Sequence, residues 1–409
     1  MNKIKGACLV FQSGGPTTVI NASLCGVIET ALRKKEITAV YGALYGIKGV
    51  LTKQFIDFTK KRKEVLTHLK TIPGAALGSA RLHLERYQGV MDETYKKIEE
   101  VVKEHNIRYI FVIGGNDSMD TCDKLADFFK KIAYECYVIG VPKTIDNDLI
   151  ITDHTPGYAS AAKYIASTAV EIYQDLDTYD TGRVTILEVM GRDAGWLTAS
   201  VALASKKGMG PDLIYLPEVP FDVESFISDV EKIYKKKRRV YIAVSEGIKD
   251  LQGEYFLLKR NYNNDDDFGH LQLGGVGMVL AQTIKQRLNY PVRSVELNIP
   301  QRCAMHLASK MDLKEAYLCG KNAVLKALKQ ETGKTIVMKR VDEYKIKYET
   351  VPTSEIANKV KTFPLEWIKD GKFITDDFIT YITPLIKGEV KIPFEDGIPS
   401  FNHFKKDHI

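Results

Sequence analysis

Short apolar runs alternate with stretches of helical spacing along most of the chain. Residues 19–32 and 119–129 place apolar side chains three and four positions apart, which is typical of helices packed on one face. The apolar runs are five to seven residues long and rich in valine and isoleucine, which indicates buried strands. They are residues 7–11, 107–113, 137–141, 184–189 and 240–244. This alternation predicts parallel βαβ units and hence an α/β fold.

We predict two doubly wound, Rossmann-like domains with mostly parallel sheets and an active site in the cleft between them. The first domain is predicted over residues 1–150 and the second over residues 151–310, although no linker rich in proline or serine marks the boundary. Residues 311–409 form a C-terminal extension with a helical pattern and an alternating stretch. We expect this extension to pack back on the first domain.

Four predicted strands run directly into polar turns that contain glycine. These turns are residues 13–17, 114–118, 191–193 and 245–247. Ligands of doubly wound sheets bind at the carboxyl ends of strands, although a βα turn uses glycine for structural reasons as well. Gly14, Gly15, Gly114 and Gly115 leave backbone N–H groups and two helix N-termini open to an anion. Two such turns suit a polyphosphate, and neither matches the P-loop or the dinucleotide-binding pattern.

The composition is that of an ordinary globular chain, with 44% apolar and 27% charged residues among 409. Lys plus Arg exceeds Asp plus Glu by 58 to 52, and the net charge of +6 is too small for a nucleic-acid-binding footprint. No apolar run approaches the ~20 residues that cross a bilayer, and the first run is too short for a signal peptide. Six cysteines, at least fourteen positions apart, form neither CxxC pairs nor a disulfide framework. We therefore expect a cytoplasmic protein without nucleic-acid or membrane partners.

Residues 140–148 carry the sharpest chemical signal. They follow an apolar strand and place Lys143, Thr144, Asp146 and Asp148 within six positions. One aspartate can take the proton of a substrate hydroxyl while the lysine neutralises charge on a phosphoryl group in transfer. Alternatively, the segment is an Asx-rich turn that caps a helix beginning near residue 157. The capping interpretation leaves the lysine and the threonine unexplained.

Two arginine pairs complete the pattern. Arg183 and Arg192 flank one predicted strand, and Arg293 and Arg302 flank another, nine positions apart in each pair. At ~3.3 Å per strand residue, each pair brackets ~30 Å. The two members of a pair are therefore expected to serve different places, such as different subunits, unless they are ordinary surface arginines.

Seven motifs occur in the same order as in the phosphofructokinases, and the chain resembles the pyrophosphate-dependent branch of that family. They are spread over about 300 residues, at 14–21, 77–81, 114–118, 142–148, 190–196, 245–247 and 300–302. The resemblance implies a Mg²⁺-dependent transfer of a phosphoryl group to the 1-hydroxyl of fructose 6-phosphate. We also predict that the reaction runs in both directions and serves glycolysis and gluconeogenesis.

Carried over position by position, the resemblance implies a role for each motif residue. The residues implied to act in the transfer are Asp146 as general base, Lys143, Asp117 and Arg192. The residues implied to bind the sugar phosphate are Thr144, Asp148, Met190, Gly191, Arg192, Glu246 and Arg302, with Arg183 and Arg293 supplied by a neighbouring subunit. The residues implied to contact the donor are Gly14, Gly15, Arg81, Gly115 and Ser118, and Mg²⁺ is implied near Asn116. Shared arginines imply a homodimer or homotetramer with shared active sites.

Two positions bear on the phosphoryl donor. ATP-using members of the family carry glycine where this chain has Asp117 and Lys143. A carboxylate at the first position repels the α-phosphate of a nucleotide, whereas an ammonium at the second stabilises the departing phosphate of pyrophosphate. The resemblance therefore implies pyrophosphate as the donor.

Two departures from the family pattern affect single contacts. Asn116 stands where the family more often has aspartate near the metal, so we expect the oxygens of the donor and of water to hold Mg²⁺. Ile299 stands where the family usually has histidine or tyrosine, so one polar contact to the sugar is expected to be missing.

Three alternative functions remain open at this point. The first is an ATP-dependent 6-phosphofructokinase. The second is a lipid or nicotinamide-nucleotide kinase, which shares only the turn at Gly114 and Gly115 and leaves the arginines unused. The third is a catalytically silent, sugar-phosphate-binding regulatory subunit, which is expected to lack the base, although Asp146 is present.

Overall fold

The computed structural model describes residues 4–60, 63–80, 82–257, 274–342, 344–401 and 404. Its strands are β1 Gly6–Gln12, β2 Ile37–Ala43, β3 Phe55–Asp57, β4 Ile107–Gly114, β5 Tyr137–Pro142, β6 Arg183–Val189, β7 Leu213–Tyr215, β8 Arg239–Ser245, β9 Val292–Glu296, β10 Lys334–Val341, β11 Lys345–Pro352, β12 Ile368–Lys369, β13 Phe373–Ile374, β14 Phe394–Glu395 and β15 Ile398–Pro399. Its α-helices are α1 Ile20–Ala31, α2 Ile47–Leu51, α3 Lys63–Leu69, α4 Glu93–Glu104, α5 Asn116–Lys131, α6 Tyr158–Asp177, α7 Trp196–Ala199, α8 Val223–Lys237, α9 Val276–Leu288, α10 Lys310–Ala327, α11 Thr353–Ile356 and α12 Asp376–Ile382. Short 3-10 helices span Phe58–Lys60, Ser200–Lys207, Ile299–Arg302, Met305–Leu307 and Leu365–Trp367.

Two mostly parallel sheets organise the molecule into a first and a second lobe. The first sheet has the strand order β11-β10-β5-β4-β1-β2-β3. Its strands from β10 to β2 run parallel, and β11 and β3 close the two edges as antiparallel strands. The second sheet has four parallel strands in the order β7-β8-β6-β9. The predicted α/β class with mostly parallel sheets is confirmed.

Helices cover both faces of each sheet. In β1, Val10 packs with α1 and α10, whereas Leu9 packs with α4 and α5 on the opposite face. In β6, Leu187 packs with α6 and α12, and Ile186 packs with α8 and α9. Because both faces are buried, these strands read as continuous apolar runs rather than as alternating ones. The doubly wound arrangement expected from those runs is present in both lobes.

Residues 311–409 enter both lobes. β10 pairs with β5 and extends the first sheet, and α10 crosses α1 closely enough that a Cβ at Gly320 would lie 2.1 Å from the carbonyl oxygen of Ser23. Phe363 and Phe378 belong to the apolar core of the second lobe. The extension therefore connects the two lobes, while the domain boundaries at residues 150 and 310 stay a prediction.

The start of α6 is capped by a carboxylate from α10. The backbone N–H groups of Gly157 and Ser160 each donate to Asp312 at 2.9 Å, and the Ser160 hydroxyl donates to it at 2.6 Å. The capping interpretation of the Asx-rich turn is therefore wrong, because Asp312 already satisfies the first N–H groups of the helix. Asp146 and Asp148 remain available for other contacts.

Within the ranges given above, no helix combines the length and the apolar character needed to cross a membrane.

Candidate active site

The carboxyl ends of both sheets border one polar cleft with a volume of about 500 Å³. Turns that follow β1, β4 and β5 form its first-lobe wall, and turns that follow β6 and β8 form its second-lobe wall. The predicted site residues that line it are Gly14, Gly15, Gly115, Asn116, Asp117, Ser118, Lys143, Thr144, Asp146, Asp148, Met190, Arg192, Glu246 and Arg302. Residues from five separate turns are thus brought into one cavity, at the place where doubly wound sheets bind ligands.

The remaining predicted site residues are Gly191, Arg81, Arg183 and Arg293. Gly191 borders the cleft through its N–H, which donates to Glu246 Oε1 at 3.3 Å, and Arg81 lies outside the described residues. The Arg183 guanidinium lies 4.6 Å from the ring centroid of Tyr179. Arg293 lies 3.3 Å from an Asp175 oxygen. These two arginines do not line the cleft of their own chain, so their assignment to a neighbouring subunit stays a prediction.

The expectation that Arg293 and Arg302 flank one long strand is wrong. Arg293 lies inside β9, which is only five residues long. The chain then turns and forms the 3-10 helix Ile299–Arg302, so Arg302 reaches the cleft on a separate element. Ile299, at the start of that helix, is 58% exposed and does not line the cavity.

Lys143 forms the floor of the cleft. The side chain is buried, and Nζ donates to the carbonyl oxygen of Gly15 at 2.6 Å. Burial lowers the pKa of Lys143 to about 8, and the carboxylates of Asp146 and Asp148 oppose this shift. A Cβ on Gly14, whose φ is +76°, would lie 3.3 Å from the ammonium, so glycine at this position lets the lysine reach the backbone of the turn after β1.

Asp146 and Asp148 project from a tight turn directly after β5. Asn147 between them has a left-handed φ of 55°, and the Asp146 N–H donates to the Thr144 hydroxyl at 3.1 Å. Burial raises the pKa of Asp146, an effect opposed by Lys143 and Arg192. Burial, followed by the neighbouring Asp146 charge, raises the pKa of Asp148 to about 7. Both carboxyl groups are therefore more basic than free aspartate.

Two buried oxygens of the cleft lack a hydrogen-bond partner. Asn116 Nδ2 donates to Asp148 Oδ2 at 3.0 Å, while Asn116 Oδ1 and Asp148 Oδ1 accept no hydrogen bond. An amide oxygen and a carboxylate oxygen, on two side chains that are hydrogen-bonded to each other, are ligands that suit a hard cation such as Mg²⁺. No cluster of three or more acidic, histidine or cysteine side chains suited to a metal occurs among the described residues. Such a cation would need further oxygens from a ligand or water.

The second-lobe side of the cleft presents the arginines Arg192 and Arg302 together with two acidic residues, Asp193 and Glu246. The Nε atoms of Arg192 and Arg302 are buried without a partner, and a Cβ on Gly15 would lie 3.3 Å from the Arg302 guanidinium. Glu246 accepts from Gly191, and burial raises its pKa to about 7. Unpaired guanidinium N–H groups next to a glycine turn are donors suited to phosphate oxygens.

A buried pair of amide side chains, Gln12 and Asn21, holds the turn after β1 in place. Gln12 Nε2 donates to Asn21 Oδ1 at 2.9 Å, and Gln12 Oε1 accepts from the Leu77 N–H at 2.9 Å. The Asn21 amide in turn donates to the carbonyl oxygens of Ile72 and Gly74 at 2.8 Å. Because these polar atoms are satisfied inside the protein, the turn after β1 and the segment before residue 81 are fixed relative to each other.

Sequence reasoning missed several lining residues. Ser13 and Asp193 lie in the turns predicted at 13–17 and 191–193, and Ala194 lies in the motif at 190–196, but none of the three is predicted as a site residue. Asn358 and Val360 also line the cleft. They come from the C-terminal extension, where neither glycine nor a charge pattern marks them as site residues, so only the folded chain reveals them.

Two doubly wound lobes whose glycine turns, basic side chains and aspartates face one cleft are the architecture of a phosphotransferase. Residues 7–326 match the family described as Phosphofructokinase, and the chain belongs to that family. It is 41% identical over 405 residues to the pyrophosphate–fructose 6-phosphate 1-phosphotransferase of Halomonas elongata, with 97% of this chain and 96% of that protein covered. It is 40% identical over 410 residues to the protein of the same name from Xanthomonas campestris, with 98% and 96% covered.

A solved structure supports the same assignment. The crystal structure of a pyrophosphate-dependent phosphofructokinase from Nitrosospira multiformis matches with a TM-score of 0.89 at 35% identity, covering 99% of this chain and 98% of that one. The family resemblance inferred from the seven motifs is confirmed.

The raised pKa of Glu246 predicts a pH-dependent stability. Its carboxyl shifts from the usual 4.5 to about 7 in the folded protein, so between these values the folded state holds a proton that the unfolded state has released. Stability is therefore lost as the pH rises through this window. Since E246Q keeps the oxygen that accepts from Gly191, we expect it to raise the free energy of unfolding by ~1 to 3 kcal/mol at pH 8.

Thermal unfolding of the ligand-free protein at several pH values measures this effect. The gain should shrink toward pH 5, and the exposed control E254Q should change stability at neither pH. An equal gain from E246Q at pH 5 and pH 8 would contradict the assignment of a raised pKa.

Proposed function

We propose that this chain is a Mg²⁺-dependent enzyme that transfers a phosphoryl group from pyrophosphate to the 1-hydroxyl of fructose 6-phosphate. The products are fructose 1,6-bisphosphate and phosphate. The observation that carries the proposal is the position of Lys143, whose ammonium lies in the cleft floor, 2.6 Å from the Gly15 carbonyl oxygen and beside Asp146. It therefore stands between the donor-side glycine turn and the candidate base.

Asp146 is proposed as the base that accepts the proton of the sugar hydroxyl. Its carboxylate is held by the turn after β5 and faces Lys143 and Arg192. A pKa raised by burial brings its basicity closer to that of an effective general base near neutral pH. The presence of this base disfavours the catalytically silent subunit.

The donor is proposed to be pyrophosphate rather than ATP. Lys143 offers a positive charge to the phosphate that departs, and Asp117 lies exposed in the first turn of α5, at the rim of the cleft. A carboxylate there repels the additional phosphate of a nucleotide. Pyrophosphate has no third phosphate and so avoids this repulsion. The free energies of phosphoryl transfer from pyrophosphate and from the phosphorylated sugar are similar. The reaction is therefore proposed to run in both directions, in glycolysis and gluconeogenesis.

Asn116 and Asp148 are proposed to face Mg²⁺ with their unpartnered oxygens. The ion, when bound with the donor, supplies positive charge to the phosphate oxygens. The protein contributes few ligands, as expected for Mg²⁺, which retains waters and substrate oxygens.

The sugar phosphate is proposed to lie on the second-lobe side of the cleft. Glu246 and the turn at Met190 and Gly191 face the sugar, and Arg302 faces its phosphate. Arg183 and Arg293 are proposed to reach the site of a neighbouring subunit in a cytoplasmic homodimer or homotetramer, which agrees with their position away from the cleft of their own chain.

Initial rates with fructose 6-phosphate and Mg²⁺ test the donor directly. Pyrophosphate and ATP are compared in parallel, and product is measured as fructose 1,6-bisphosphate. We expect turnover with pyrophosphate and at least ~100-fold less with ATP, a difference of ~2.7 kcal/mol in transition-state binding. Turnover with ATP alone would overturn the donor assignment, and silence with both would favour the regulatory subunit.

Replacement of the base predicts a loss confined to the chemical step. D146N should lower kcat by at least ~10²-fold and leave fructose 6-phosphate binding nearly unchanged, because the amide keeps the shape but cannot accept the proton. Steady-state kinetics and calorimetric binding measure the two effects. D377N, an exposed change on α12, is the matched control, and an unchanged kcat in D146N would show that another group is the base.

Removal of both donor-side charges predicts weaker use of pyrophosphate. The double variant D117G/K143G should lose at least ~10-fold in kcat/KM for pyrophosphate and gain measurable ATP turnover, because each charge contributes on the order of 1.4 kcal/mol to donor preference. K143M keeps the volume of the lysine without its charge and so separates packing from electrostatics. Full pyrophosphate activity in the double variant would refute the role given to Lys143, and a double variant that still excludes ATP would refute the role given to Asp117.

A further inference from the structure

Lys361, in the C-terminal extension, holds the backbone next to the candidate base. Its Nζ donates to the carbonyl oxygens of Thr152 and Asp153 at 3.1 and 3.0 Å, and to Asn147 Oδ1 at 3.4 Å. Its backbone N–H donates to the carbonyl oxygen of Asp148 at 2.7 Å. One residue thus binds both ends of the loop that leads away from Asp146.

The same residue also contacts the second lobe. Trp196 Nε1 donates to the carbonyl oxygen of Lys361 at 2.9 Å, and the Lys361 ammonium lies 4.9 Å from the Trp196 ring centroid. Trp196 begins α7, directly after the turn at Met190–Gly195 that forms the second-lobe wall of the cleft. Lys361 therefore connects the turn that carries the base with the turn proposed to bind the sugar.

The turn at Asn147 needs such external support. Asn147 is fully buried and adopts a left-handed φ of 55°, a conformation that persists where surrounding contacts determine it. Its side-chain oxygen also accepts from the Thr155 N–H at 3.1 Å. The far end of the loop has a second anchor, because His154 lies 2.7 Å from both Asp153 and Glu315. At the near end, where the two aspartates lie, Lys361 supplies the contacts to Asp148 and Asn147.

We propose that Lys361 is a positioning residue for the phosphoryl transfer. It fixes the Asp146–Asp148 turn against the second lobe, so that the base and the sugar hydroxyl meet at the required distance. The inference rests on the proposed function, since it concerns the same cleft. A displacement of ~1 Å at such a turn can cost ~10²-fold in rate even though the moved residue touches no substrate.

Steady-state kinetics of K361M test this role. Methionine keeps most of the length of lysine but cannot donate to the three oxygens. We expect kcat per folded enzyme to fall ~10- to 100-fold, with KM for fructose 6-phosphate and pyrophosphate changed less than ~3-fold. K361R should recover part of the rate, because it restores a charged donor. K359M, an exposed change two positions away, is the matched control and should behave as the wild type.

Amide hydrogen exchange of the same proteins without substrate gives a readout independent of turnover. K361M should show faster exchange in residues 146–153 and around Trp196, and K359M should not. Unchanged exchange in K361M would show that Lys361 does not connect the Asp146–Asp148 turn to Trp196. This result would hold whether or not the wild type is active. Faster exchange with an unchanged kcat would reduce Lys361 to a structural contact and overturn the positioning role.

Two further outcomes are distinguished in the same experiment. An inactive wild type would overturn the proposed function and the inference that depends on it. The exchange data would still report whether Lys361 connects the Asp146–Asp148 turn to Trp196. If K361M does not fold, K361L, which is shorter and also cannot donate a hydrogen bond, takes its place. A K361L enzyme with wild-type kcat and exchange overturns the proposal.

Discussion

Charges of both signs are withdrawn from water in the cleft, and the architecture depends on their balance. An ion moved into a protein interior costs several kcal/mol unless partners compensate for lost hydration. Lys143 is partly compensated by Asp146 and Asp148 on the same turn, but the other charges that favour ionised Asp146, Arg192 and Arg302, come from the second-lobe side. The balance therefore requires two sheets whose carboxyl ends meet. A single doubly wound lobe would present only half of this charge set.

The cleft is consequently an assembly of three parts of the chain rather than of two. Asn358 and Val360 line part of the cleft but belong neither to the turns after β1, β4 and β5 nor to those after β6 and β8. The C-terminal extension also caps α6 through Asp312 and contributes aromatic residues to the second core. Residues that are remote in sequence thus help to position the same cleft as the motif residues. The motifs alone do not include all of the residues that maintain its geometry.

The predictable part of the molecule is the part encoded locally. Runs such as 109–113 reveal strands because burial on both faces leaves no charged position in them. The turn after β5 is recognisable because its charges are concentrated within a few residues. The missed features depend on distant pairing. Asp312 and Lys361 look like ordinary polar residues until the chain folds, since their partners lie more than 150 positions away. The prediction that Arg293 and Arg302 flank one strand is wrong because the strand that contains Arg293 is only five residues long.

The position of β10 has a consequence for biosynthesis. This strand lies beside β5 in the first sheet, yet all of the second sheet is translated between them. While the ribosome makes that intervening part, the outer edge of β5 has no neighbour and its backbone groups form an open template for other chains. Closure of the first lobe thus awaits the last quarter of the chain. Nascent chains of this topology have a long interval in which pairing with the wrong strand competes with completion.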